Sequence, residues 1–220
     1  MPDTNTEMRV RFASILLSAP CQNMDFWCGG LHVSGAGLAL IAHALSGGGR
    51  HGKGVRVVVE PVGKNAAAQY DQFRNAIVVP KRGWAKRDTF ERIGTVHEAV
   101  HALRDAYGAR LTFEGHPFRP RAATDEAAAY VAGCLYDVYV QQEGGGTAVP
   151  SPAWLAARKS PTHALAYGVA LRQAAKPAGS AVDRSDLATL FRTITQYSIK
   201  TEGTMTRFYE FNGIRGVRPP

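Results

Sequence analysis

Residues 88–108 read D-T-F-E-R-I-G-T-V-H-E-A-V-H-A-L-R-D-A-Y-G. Asp88 followed by Glu91 three residues on has the form of a helix N-cap with its capping-box glutamate, and Gly108 supplies a stop. Phe90, Ile93, Val96, Val100 and Leu103 recur at helical spacing, so the segment predicts an amphipathic helix from about Thr89 to Tyr107. His97-Glu98-Ala99-Val100-His101 lies in its middle. Residues four apart on a helix share a face, roughly 5–6 Å apart at Cβ, so two imidazoles so placed can grip one metal ion. A glutamate beside them can hold and deprotonate water at that ion. The chain has 7 histidines and 9 glutamates in 220 residues. A chance match to this spacing is expected only about 0.01 times in such a chain, so accident is a weak explanation.

The rest of the composition sets the frame. The chain is long enough to bury one good core, and its 45% hydrophobic, 20% charged composition is that of an ordinary globular protein. The expectation is one domain over residues 1–220, with an N-terminal module to about residue 54, a metal-site core over about 55–143, and a helical C-terminal part over about 150–220. The net charge of +8 favours acidic surfaces or polyanions without choosing one. Three cysteines, Cys21, Cys28 and Cys134, are too few and too odd in number for a disulfide framework. Cys21 and Cys28 could close a short loop in an oxidising compartment; free, partly buried thiols are the simpler reading. No apolar run is long enough to span a membrane. Arg9 and Arg11 precede a short apolar stretch, but Asp3 and Glu7 come before them and the stretch is too short for a signal peptide. The expected location is the cytoplasm as synthesised, with export open only by a signal-independent route.

Along the chain, residues 10–17 (V-R-F-A-S-I-L-L) predict a strand, 19–30 an irregular Cys-bearing loop, and 34–45 a buried helix. Residues 46–54 (S-G-G-G-R-H-G-K-G) are glycine-rich but lack P-loop spacing, so they predict a solvated connection. Residues 55–60 (V-R-V-V-V-E) and 75–79 (N-A-I-V-V) predict strands. Residues 80–87 predict a basic turn and 108–122 a loop. A second long helix is expected over about 124–142, ended by glycines. Further helices are expected near 161–175 and 184–198, and residues 206–211 alternate like a strand.

A catalytic metal of this kind takes three protein ligands and leaves a position open. The extended motif H-E-x-x-H-x-x-G-x-x-H needs glycine at 104 and histidine at 107, where this chain has Arg104 and Tyr107. His116 and His163 are distant alternatives. The remaining candidate is Glu126, 25 residues after His101, in the first turn of the second helix and followed by small residues that let two helices approach. On His97, Glu98, His101 and Glu126, with Asp105 four residues after the second histidine, the chain resembles the gluzincin metallopeptidases, the thermolysin-like class of zincins. The resemblance covers about residues 75–140. It implies an α+β, zincin-like fold: a small mixed sheet packed on the active-site helix, a second ligand-bearing helix, and a mainly helical C-terminal part. It implies Zn²⁺ on His97, His101 and Glu126, with Glu98 as general base. It also implies that the strand before the zinc helix, residues 75–79, edges the cleft and pairs with an extended protein or peptide substrate. The thermolysin-like class has an acid one turn after the third ligand; here that residue is Tyr130, leaving Asp105 or Asp125 to orient an imidazole.

The donor for the developing oxyanion is drawn from His163, Tyr167, Tyr197 and Tyr209, with His163 first because it follows Pro161 and Thr162 at a helix start. The compact architecture is also similar to metallopeptidase toxin domains of bacterial secretion effectors, which would add an immunity or carrier protein as partner. Two alternatives come from other classes. One is a nucleic-acid-associated protein using Lys81, Arg82, Trp84, Lys86 and Arg87, with Arg119, Arg121, Arg158 and Lys159; the run is short, and a solvated basic loop is the plainer reading. The other is a zinc-stabilised binding module without catalysis, against which the retained Glu98 argues.

Overall fold

A computed structural model describes residues 4–46, 54–62, 68–80, 89–107, 112–113, 116–117, 122–145 and 160–201. The basic run 81–87, the Asp88 cap, the glycine-rich residues 47–53, residues 206–211 and the outlying basic residues Arg119, Arg121, Arg158 and Lys159 lie outside them. Among the described residues the chain is mixed α and β, with small sheets and long helices.

The chain opens on α1 (Thr4–Leu16), where a strand was expected over 10–17. Met8, Phe12, Ala13, Ile15 and Leu16 are buried while Val10 is 63% exposed. Buried positions four, seven and eight residues apart are a helical stripe; the V-R-F start imitates alternation without continuing it. The expected loop over 19–30 is also corrected. It holds α2 (Ala19–Gln22) and β1 (Asp25–Cys28), and β1 turns through Gly29-Gly30 into β2 (Leu31–Ser34) as an antiparallel hairpin. Both glycines have positive φ, 55° and 80°, which a tight two-residue hairpin turn needs. The helix expected over 34–45 is present as α3 (Gly35–Ser46).

A second sheet holds β3 (Arg56–Val59), β4 (Gln69–Asp71) and β5 (Ala76–Val79) in the order β3-β5-β4. β3 runs parallel to β5, and β4 antiparallel. Residues 75–79 therefore do not form the edge strand that the family resemblance implies. β5 is fully buried and flanked on both sides, so its backbone is already paired. The edge on the metal-site side, among the described residues, is β4, a strand too short and polar to stand out in the sequence.

α4 (Thr89–Tyr107) matches its expected bounds and buries Ile93, Val96, Val100 and Leu103. The expected loop over 108–122 contains a small antiparallel pair, β6 (Thr112–Phe113) and β7 (His116–Pro117). α5 (Ala122–Glu143) follows. It is buried on nearly every side, as expected for a helix whose small and apolar residues run all round. α6 (Pro161–Ala174) and α7 (Arg184–Thr201) pack against it, and β8 (Ser180–Ala181) joins β1 in parallel. One buried cluster runs from Met8 in α1 to Ile194 in α7. No helix among the described residues is long and apolar enough to cross a membrane.

The α4–α5 contact places the site, and Gly133 sets its closeness. A Cβ there would lie 3.0 Å from both Cγ2 and the carbonyl oxygen of Ile93. Gly133→Val is therefore expected to wedge the helices apart and to lower stability by about 1–3 kcal/mol, measured by chemical denaturation. Ile93 sits one turn before His97, so the same variant should bind metal more weakly.

Candidate metal centre

His97 and His101 project from consecutive turns of α4 towards Glu126 in the second turn of α5. The two Nε2 atoms are 3.2 Å apart. His97 Nε2 lies 3.4 Å from Glu126 Oε2, and His101 Nε2 lies 3.5 Å from Glu126 Oε1. Ligands about 2.0–2.1 Å from a tetrahedral ion stand about 3.4 Å from one another. Each imidazole faces its own Glu126 oxygen at close to that edge length, and with one ligand atom from each residue the three lie within 4.8 Å of one another, so the group could hold one metal ion. Two imidazoles and a carboxylate form a donor set suited to a divalent transition-metal ion. The side chains of His97 and Glu126 are 16% exposed and that of His101 is 8% exposed, so the cluster is sheltered but reachable.

The orientation of His101 is set from behind. Its Nδ1 lies 2.6 Å from Asp125 Oδ2, which turns Nε2 towards the centre. Asp125 in turn pairs through Oδ1 with Arg104 Nε at 2.6 Å, and Arg104 is fully buried. Of the two acids expected to orient an imidazole, Asp125 takes that role. Burial works against the charged form of His101, but Asp125, Glu126 and Glu98 outweigh it and raise its pKa. Burial likewise opposes the Glu126 carboxylate, but His101 and His97 lower its pKa. The pocket stabilises positive charge at its centre, a property a cation can exploit in place of a proton.

Glu98 is buried beside the ligands, and its Oε2 accepts a 2.7 Å hydrogen bond from the backbone N–H of Tyr70 in β4. The Tyr70 hydroxyl donates to Asp105 Oδ2 at 2.8 Å and also lies 3.0 Å from Asn75 Oδ1. On the other side, the ring of Tyr130 meets the ring of His97 edge to face at 4.8 Å. His163 of α6 meets Tyr130 in the same manner, also at 4.8 Å. An aromatic wall thus stands where the thermolysin-like class has an acid, and α6 reaches the centre through it. Tyr167 is not in this wall. Its hydroxyl accepts from Gln141 at 2.8 Å and donates to Asp137 at 3.3 Å, inside the α5–α6 contact. Tyr209 and the side chains of Tyr197 and His116 lie outside the described residues.

The cysteines take no part. Cys21, Cys28 and Cys134 are buried and none of them forms a disulfide. Burial pushes the Cys21 and Cys28 thiols up to about 12, far from the thiolate that a ligand or nucleophile must be.

No protein-family model, curated protein or solved structure matches the chain. The fold brings His97, His101 and Glu126, the three residues that the sequence offers as ligands, close together. Three participants carried no signal as such: Tyr70 in a short polar strand, Arg104 as a buried cation, and Tyr130 as a packing partner of a ligand. Each acquires its role from a contact with a distant or neighbouring element.

Proposed function

We propose that the chain is a zinc-dependent metallopeptidase of the Glu-type zincin class. The observation that carries the reading is the cluster of His97, His101 and Glu126, whose ligand atoms lie within 4.8 Å of one another, with the buried carboxylate of Glu98 on the same helix. A structural metal site needs ligands, and the adjoining base adds what hydrolysis requires.

His97, His101 and Glu126 would hold the ion. When bound, zinc supplies Lewis acidity, lowering the pKa of water towards 7 and polarising a carbonyl oxygen. Glu98 takes the proton of the attacking water on its carboxylate and delivers it to the leaving amine nitrogen. Asp125 keeps the His101 ring in one tautomer and one orientation throughout. His163, which packs on Tyr130 as Tyr130 packs on His97, is the first candidate to donate to the carbonyl oxygen as negative charge builds there.

The test is metal content by mass spectrometry on wild type, His97→Ala and Glu126→Ala, with a peptide-cleavage screen on the same samples. One zinc per chain is expected in wild type, with loss of metal and cleavage in both variants. Zinc lost from His97→Ala but kept by Glu126→Ala would remove Glu126 from the ligand set and with it the Glu-type assignment.

A further inference from the structure

We infer that Tyr70 is a positioning residue that holds the Glu98 carboxylate in place, acting as a strut between β4 and α4. The inference rests on the reading of Glu98 as the general base.

Glu98 and Asp105 are seven residues apart on α4. At 3.6 residues per turn this is close to two full turns, so both acids lie on one face of the helix, separated by about 10 Å along it. Tyr70 reaches both. Its backbone N–H donates to Glu98 Oε2 at 2.7 Å, and its hydroxyl donates to Asp105 Oδ2 at 2.8 Å. The amide is available because of the strand register. Tyr70 stands opposite Ile77 in the antiparallel β4–β5 pair. Its N–H goes to Glu98, so this is a non-hydrogen-bonded pair with the amide turned to the outer edge.

The hydroxyl contact matters because β4 is weak by itself. It is three residues long, and so short an edge strand has little stiffness of its own. Asp105 is 1% exposed and fixed in the helix core. The hydroxyl also reaches Asn75, which closes the hairpin at a φ of 46° in the left-handed region. The bond to Asp105 therefore ties the hairpin to the helix that carries Glu98. A glutamate has several rotatable bonds, and a displacement of about 1 Å at a reacting group can cost on the order of 10²-fold in rate.

The experiment compares zinc-loaded full-length wild type with Tyr70→Phe, Asp105→Leu, the double variant and Glu98→Ala. It measures kcat and KM on a peptide that wild type cleaves, zinc stoichiometry, and hydrogen exchange over residues 68–76. Tyr70→Phe is expected to keep its zinc and its KM, to lose about 10–100-fold in kcat, and to exchange faster over 68–76. Asp105→Leu should do the same, and the double variant should lose no more than either alone. Asp105→Asn, which keeps an acceptor oxygen, should recover part of the loss. A Tyr70→Phe variant with wild-type kcat, or with its whole effect in KM, overturns the inference. If no form cleaves any peptide, the peptidase reading fails and exchange decides the strut. Faster exchange in both Glu98→Ala and Tyr70→Phe supports it, and unchanged exchange in either overturns it.

Discussion

Glu98→Ala is expected to abolish peptide hydrolysis while leaving the metal bound. Glu98 is none of the three ligands, whose donor atoms lie within 4.8 Å of one another without it. Zinc stoichiometry should therefore match wild type. What disappears is the buried carboxylate that the proposed reaction uses to move a proton between water and leaving amine, a contribution of about 10²–10⁴-fold. Glu98→Gln sharpens the result. Its amide oxygen can still accept the bond from the Tyr70 N–H, so the local structure is kept, yet it cannot take a proton. Both variants should be inactive, with Glu98→Gln the closer to wild type in stability. A Glu98→Gln enzyme with near-wild-type turnover would show that the proton is carried elsewhere.

The second large effect is expected at Arg104. Its side chain is 0% exposed, and its partner Asp125 is 2% exposed. Arg104→Ala removes one half of a buried ion pair and leaves the Asp125 carboxylate with His101 as its remaining ion-pair partner among the described residues. Breaking such a pair from one side typically costs about 3–5 kcal/mol, because the remaining charge stays desolvated. Denaturant titration of the metal-free protein should show a loss of this size. Asp125 also orients His101, so zinc affinity should fall by about 10–100-fold, as when the support of a ligand is removed. Arg104→Lys should restore little, since an ammonium lacks the planar guanidinium geometry. By contrast, Arg74→Ala breaks the exposed Arg74–Glu60 pair and should change stability little. A fully stable Arg104→Ala that binds zinc normally would show that the Asp125 carboxylate needs no counter-charge from that side.

The sequence carried the metal site further than it carried the fold around it. Helix signals are local. The stripe through Ile93, Val96, Val100 and Leu103 and the spacing of His97 and His101 are properties of one segment, legible without its neighbours. Glu126 could be found because small residues beside an acid at a helix start suggest close helix approach. α1 differs from the expected strand because residues 10–12 alternate over too short a span to separate a period of two from one of 3.6. The β1–β2 hairpin is hidden in the sequence because Gly29-Gly30 sits in a short, irregular stretch whose strands are four residues each. β4 is hidden because a strand of three polar residues has no periodicity to detect.

By itself the sequence determined which atoms can meet a metal: two imidazoles one helical turn apart, a base between them, and a carboxylate on the following helix. Tertiary structure decided what holds them. Asp125 rather than Asp105 orients His101, because the start of α5 lies against the middle of α4. Asp105 instead receives Tyr70, because β4 and not β5 forms the edge beside that helix. Tyr130 packs on His97 where an acid was expected. The physical reason is the range of the interactions. Helical spacing follows from backbone geometry within a segment, whereas hydrogen bonds and buried ion pairs depend on distances of about 3 Å between residues remote in the chain, which only packing determines.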